Sequence, residues 1–274
     1  MAIATHPARR QPGGYGVTVN TEVCGAFDSG SIPDSRPNEN LSKRSLYCRD
    51  FLVLAKRYPS ENSELCYTFR METNELADTY NKIASDYAND HENDSWDDDF
   101  IDFFSEAIFQ NAKVLDLGCG PDVETKKLTL RGFDVQGFDL SEGLLKIAHE
   151  KIPSAIFLQG NMLKELPYDN EYFDGVFAKA SLLHIPKEKI NFVFGEICRI
   201  LKPNGILHIA LKQGDDEKVV QENDYGYEYQ RFFSYWQPEK LQDIFQQYNL
   251  EVLKQDAWTK PGKKTVWLKY LLKK

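Results

Sequence analysis

A chain of 274 residues with 42% hydrophobic content is long enough to bury a sizeable core in one large or two small domains, which excludes a disulfide-stapled miniprotein. Lysine and arginine number 33 against 42 aspartate and glutamate; the net charge of −9 disfavours nucleic acid as a partner held by phosphate neutralisation. No apolar run approaches the roughly 20 residues that cross a bilayer, and residues 1–16 lack the apolar segment of an export signal. The expectation is a soluble, cytoplasmic protein.

Cysteines 24, 48, 66, 119 and 198 show neither zinc-site pair spacings nor the dense pattern of a secreted scaffold, and they read as reduced thiols. The histidines are scattered, so no metal site is expected.

Residues 1–70 mix Gly, Pro, Ser and Asn without sustained period and are expected to be a poorly structured extension, with one short apolar run at 51–55. Met71 opens a new compositional regime and marks the expected start of the functional unit, 71–274. Between 74 and 109, Leu76, Tyr80, Ile83, Ala84 and Tyr87 recur at helical spacing, and Phe100, Ile101, Phe103, Phe104, Ala107 and Ile108 repeat the pattern. Two helices are predicted there. The acidic run between them, around Trp96, reads as a solvated turn capping the second helix rather than a calcium loop, because the ligand spacing and turn glycine are missing.

Strand and helix signals then alternate. Strands are predicted over 113–117, 133–138, 155–159, 173–178 and 205–211, with helices over 123–131, 141–151 and 187–201. Such alternation builds an α/β, doubly wound, mostly parallel sheet. After a polar, aromatic-rich insertion at 215–236 come a helix over 238–248 and two strands, 251–256 and 265–271, close enough to form an antiparallel hairpin.

Between the first strand and its helix stands Asp116-Leu-Gly-Cys-Gly-Pro121, where two glycines let the backbone approach a ligand above the strand's carboxyl end. Asp139, about 20 residues further on at the tip of the second strand, can accept both hydroxyls of a ribose. Dinucleotide enzymes use the same pairing, but their third glycine would fall at Val123, which leaves a nicotinamide-dependent oxidoreductase as the weaker reading.

These residues resemble the class I S-adenosylmethionine-dependent methyltransferases, over roughly residues 76–272. Val114-Leu-Asp-Leu-Gly-Cys-Gly120 is similar to the family's first motif, and Phe138-Asp-Leu-Ser-Glu-Gly-Leu-Leu145 to its ribose-binding turn. Gly160-Asn-Met162 occupies the adenine-contacting position. Phe173-Asp-Gly-Val-Phe177 with Ser181-Leu-Leu-His-Ile-Pro186 is similar to the fourth strand and its loop, and Ile200-Leu-Lys-Pro-Asn-Gly-Ile-Leu207 to the turn entering the fifth. Asp122 departs from the pattern, standing where the family carries a glycine or small residue.

The resemblance implies a Rossmann-like seven-stranded sheet and S-adenosylmethionine as cofactor. It implies that Gly118 and Gly120 line the methionine part, that Asp116 orients its amino group, and that Asp139 holds the ribose. Leu140 and Met162 would sandwich the adenine, with Asn161 at its amino edge, and the backbone of Ala178 and Lys179 would face the sulfonium. Tyr80 and Tyr87, at i and i+7 of the first helix, resemble the aromatics that close the site; helix packing explains them equally well.

An acceptor that must lose a proton needs a base. His184, the one histidine in a loop above the sheet's carboxyl edge, is the candidate catalytic residue, expected to titrate near pH 6–7. Cys119 reads as a small buried residue and His208 as structural. The insertion at 215–236 should choose the substrate, and Tyr229, Arg231 and Phe233 are the candidate binding residues for a small planar or acidic acceptor. A regulatory module that binds S-adenosylmethionine without reacting it is the rival reading.

Overall fold

The computed structural model describes residues 74–274. The expectations for residues 1–70, including the run at 51–55 and cysteines 24, 48 and 66, lie outside the described residues.

Helix α1 (Asn74–His91) and α2 (Asp98–Ala107) precede β1 (Lys113–Leu117), α3 (Val123–Leu130), β2 (Asp134–Asp139), α4 (Glu142–Lys151) and β3 (Ile156–Gln159). Strand β4 (Phe173–Lys179), a single 3-10 turn (Leu182–His184), α5 (Lys187–Ile200) and β5 (Leu201–Lys212) follow. The chain ends with β6 (Glu217–Glu222), β7 (Tyr229–Ser234), α6 (Pro238–Gln247), β8 (Glu251–Thr259) and β9 (Val266–Lys273). Element ends move by only a few residues from those predicted.

Seven strands form one sheet in the order β3-β2-β1-β4-β5-β9-β8. The first five run parallel, while β9 pairs antiparallel with both β5 and β8. The period-2 alternation of the strands explains the layers. Leu115, Leu117, Val176, Leu207 and Ile209 pack with Ile190, Val193, Phe194 and Ile197 of α5 and Leu241, Ile244 and Phe245 of α6. Their neighbours Val114, Val135, Phe177 and Ile206 pack with Phe100, Ile101 and Phe104 of α2 and Leu128 of α3. Among the described residues no helix is long and apolar enough to cross a membrane, and no group of three or more metal-ligating side chains converges.

Two departures from the predicted organisation matter. The insertion at 215–236, for which no strand was predicted, holds two: β6 and β7 pair antiparallel as a separate two-stranded ribbon, Glu217 opposite Ser234 and Glu222 opposite Tyr229. The acidic run around Trp96 is largely the exposed turn expected, with Glu92, Asn93 and Ser95 in solvent, but one of its acids is not solvated. Asp97 precedes α2, but its side chain makes no cap bond and is buried, accepting from His208 Nε2–H at 2.7 Å. The other ring nitrogen of His208 donates to Tyr270 O at 3.0 Å. Lys269, also buried, lies 3.7 Å from the remaining oxygen of Asp97 and donates to Asp99 at 2.7 Å. One buried charge cluster thus ties α2 to β5 and β9.

Candidate cofactor and acceptor site

The site is built from the carboxyl ends of the parallel strands. Gly118 (φ +81°) and Gly120 (φ +55°) turn the chain out of β1 in conformations that a side chain resists. At Gly118 a Cβ would stand 2.2 Å from the Cβ of Ser181, so the absent side chain is what lets the loop after β4 close on the loop after β1. Ser181 Oγ–H seals that approach by donating to Leu117 O at 2.6 Å. At Gly120 a Cβ would meet nothing within 4 Å, leaving a cradle that a ligand can fill. Asp122, the departure noted in the sequence, adopts φ +122°, a backbone that favours glycine, and its carboxylate takes Lys151 at 3.2 Å.

Asp139 ends β2 with both oxygens fixed: Gly120 N–H donates to Oδ2 at 2.9 Å and Ser141 N–H to Oδ1 at 2.8 Å. Burial pushes its carboxyl above the ordinary range while these amides pull it back. Replacing Asp139 with alanine removes the carboxylate expected to hold the ribose and frees two amides. The expected result is a folded protein that binds S-adenosylhomocysteine about 5- to 150-fold more weakly, the equivalent of roughly 1–3 kcal/mol. Calorimetric titration together with a thermal melt checks both halves.

Tyr80, Tyr87, Gly118, Gly120, Asp139, Leu140, Asn161, Met162, Lys179, His184, Arg231 and Phe233 all line one cavity of about 250 Å³. Three of the expected residues do not. Asp116 is buried beneath the glycine loop, where Thr125 Oγ1–H donates to it at 2.7 Å; burial, then the charge of Glu124, pushes its carboxyl up to about 8. Ala178 points into the core by strand alternation, and Ala180 reaches the cavity instead. Tyr229 is buried, stacked on Tyr225 with the Arg231 guanidinium 5.7 Å from its ring.

Within the cavity several polar groups are already engaged. Lys179 donates to Glu124 at 2.5 Å. Asn161 Oδ1 accepts from Leu163 N–H at 2.9 Å. Arg231 makes two bonds to Glu222, at 2.5 and 2.6 Å, so the expected charge clamp arrives neutralised. Burial, with the charges of Asp116 and Asp139, keeps the Cys119 thiol well above its usual range and therefore protonated.

His184 differs most from expectation. Its Nδ1–H donates to Phe232 O at 2.6 Å, and Nε2 accepts from Tyr80 O–H at 2.8 Å. Burial pushes its pKa down to about 3, so the imidazole is neutral throughout the physiological range. No limb near pH 6–7 can come from it. The ring instead ties α1, the turn after β4 and the β6–β7 ribbon together over the cavity. His184→Ala should lower stability by about 1–3 kcal/mol through two lost hydrogen bonds and leave the shape of the pH–rate profile between pH 5 and 8 unchanged. Denaturant titration and a pH–kcat series read the two effects separately.

Among the cavity residues that escaped the sequence reading are Trp96, Lys212 and Trp267. Trp96 packs against both hairpin tryptophans, with ring centroids 5.4 Å from Trp258 and 4.7 Å from Trp267. Lys212 Nζ lies 3.7 Å from the ring centroid of Phe233 and 5.5 Å from that of Trp267. The signal for Lys212 was present, since the last residue of a strand lies at the carboxyl edge where ligands bind. The tryptophans are brought there by pairings that local sequence does not reveal.

Comparison with known proteins agrees with this geometry. Residues 115–209 match the family model described as a methyltransferase domain. The Bacillus subtilis protein YqeM, named as a methyltransferase, is 31% identical over 148 residues, covering 49% of this chain and 60% of that protein. The match spans 60% of that protein's length and 49% of the length of two further curated relatives. Among solved structures, an S-adenosylmethionine-dependent methyltransferase from Clostridium acetobutylicum superimposes with a TM-score of 0.56 at 18% identity, over 71% of this chain and 98% of that one. The [4+2]-cyclase SpnF superimposes with a TM-score of 0.58 at 16% identity, over 73% and 95%, which makes it a likeness of fold. The strand order, the glycine loop with Asp139 and the methyltransferase domain matched over residues 115–209 make this chain similar, in fold and in its crevice, to class I S-adenosylmethionine-dependent methyltransferases.

Proposed function

We propose that the protein binds S-adenosylmethionine across the carboxyl ends of β1, β2 and β4 and transfers its methyl group to a small-molecule acceptor. The observation that carries the reading is the join between Gly120 and Asp139: a cradle open where a Cβ would stand, hydrogen-bonded to a carboxylate fixed by two amides. Such a pair offers backbone approach to the methionine part and acceptors to a ribose. When bound, the cofactor supplies a methyl already activated on a sulfonium, so the chain's work is to place the acceptor in line and exclude water.

Leu140, Asn161 and Met162 would enclose the adenine. Lys179 brings no net positive charge towards a sulfonium, because Glu124 neutralises it. Tyr80, Tyr87 and the ribbon strand β7 cover the acceptor side, held by the Tyr80–His184–Phe232 chain of hydrogen bonds. The closure of that side by α1, where Thr79 and Lys82 donate to the carbonyls of Gln230 and Glu228 at 3.0 and 2.8 Å, supports a small acceptor.

Incubation with methyl-labelled S-adenosylmethionine and a metabolite extract tests the reading. Label should enter the low-molecular-mass fraction. Cofactor binding with no label in any fraction would identify a binding module instead, and label in nucleic acid or protein would overturn the small acceptor.

A further inference from the structure

The cavity has three cationic side chains besides its histidines, and they are not equivalent. Lys179 is paired with Glu124 and Arg231 with Glu222. Lys212 is the exception: among the described residues its ammonium has no carboxylate within ion-pair distance and no hydrogen-bond acceptor, only the faces of Phe233 and Trp267. Its position is fixed by the backbone. Lys212 pairs across the sheet with Trp267, and its carbonyl accepts from Trp236 N–H at 2.9 Å, which pins the end of β5 between the β8–β9 hairpin and the β6–β7 ribbon.

We infer that the acceptor is a small carboxylic acid whose carboxylate sits on Lys212 between the rings of Phe233 and Trp267; this rests on the methyl-transfer reading above. Aromatic faces hold an ammonium without cancelling its charge, so Lys212 presents a net positive charge in a partly desolvated wall. A buried cation lacking an anionic partner is unfavourable. Burial, followed by the charges of Arg231 and Lys218 against the opposing Glu222, has already pushed Lys212 down to about 8. An incoming carboxylate relieves that cost, while the flanking rings suit an unsaturated or aromatic skeleton.

The chemistry is consistent with the remaining residues. When a carboxylate oxygen takes the methyl, the O–CH3 bond forms as the S–CH3 bond breaks, and the negative charge of the acid and the positive charge of the sulfonium vanish together. No proton is released. No base is needed, in keeping with a His184 whose two nitrogens are both engaged. The neutral ester then loses its attraction to Lys212, which favours product release.

The cofactor has a carboxylate of its own, so the test must separate two sources. Wild type, Lys212→Met and Lys212→Arg are titrated at pH 7 first with S-adenosylhomocysteine. With that ligand saturating, they are titrated with benzoate against benzamide and hexanoate against hexanamide. The expected result is S-adenosylhomocysteine affinity unchanged within twofold in all three proteins, with the carboxylates bound at least tenfold more tightly than their amides by wild type. That preference should vanish in Lys212→Met and survive in Lys212→Arg. Loss of S-adenosylhomocysteine affinity in Lys212→Met would reassign the lysine to the cofactor. Equal or absent binding of acids and amides, with the cofactor product still bound, overturns this inference alone. Failure of wild type to bind S-adenosylhomocysteine overturns the methyl-transfer reading beneath it.

Discussion

Asp97→Ala should lower the free energy of unfolding by about 3–5 kcal/mol, the cost of removing one partner from a buried ion pair. The carboxylate accepts from His208, whose side chain has no exposed surface, and it lies 3.7 Å from a Lys269 that is 1% exposed. Alanine leaves the Nε2–H of His208 without an acceptor among the rings of Phe100 and Phe177, 5.2 and 4.3 Å away by centroid. It also takes one of the negative charges from around Lys269, which keeps Asp99. In urea, with a slope of about 1–3 kcal/mol per molar, the midpoint should fall by more than roughly 1 M. Asp97→Asn keeps an acceptor oxygen for His208 and should lose clearly less. A midpoint for Asp97→Ala within about 0.3 M of wild type would show that the cluster carries little of the stability.

Gly118→Ala and Gly120→Ala should separate folding from binding. At Gly118 the new Cβ overlaps Ser181 Cβ, an atom bonded to the backbone of the facing loop, so the loops after β1 and β4 must part. Adding overpacking of about 1–3 kcal/mol to left-handed strain of similar size, the variant should be destabilised by several kcal/mol. At Gly120 the Cβ meets open space, so the stability cost should be only the φ +55° strain, about 1–2 kcal/mol. Yet that Cβ occupies the cradle, and S-adenosylhomocysteine affinity should fall at least 100-fold, about 2.7 kcal/mol. Denaturant melts with calorimetry on both variants check the contrast. A Gly120→Ala protein that binds normally would remove the cradle from the account.

Particular residues show what was legible in advance. The first two parallel strands declared themselves because apolar residues are followed at once by a glycine or capping residue, as at Val114–Leu117 before Gly118 and Gly120, or β2 before the N-cap Ser141. The loop and Asp139 were legible because their chemistry depends on spacing along the chain. The ribbon β6–β7 was not. Its strands mix charges with aromatics, β6 is largely exposed, and the connection of residues 223–228 lacks the two-residue turn signature. Asp97 looked like a solvated acid because nothing local announces His208 and Lys269, which reach it from β5 and β9. His184 looked like a base for the same reason: the partners that occupy its nitrogens, Tyr80 and Phe232, lie on distant segments. Pairings made in three dimensions changed the roles of residues whose positions the sequence had already indicated.

Titrating the wild-type protein calorimetrically with S-adenosylhomocysteine, and separately with NAD, tests the central claim most directly. The two ligands share adenine and ribose, so Asp139 alone does not distinguish them; the glycine cradle, with Val123 where a dinucleotide loop carries its third glycine, does. The account predicts saturable, one-to-one binding of S-adenosylhomocysteine and no comparable heat from NAD. Saturable NAD binding with no response to S-adenosylhomocysteine would contradict it.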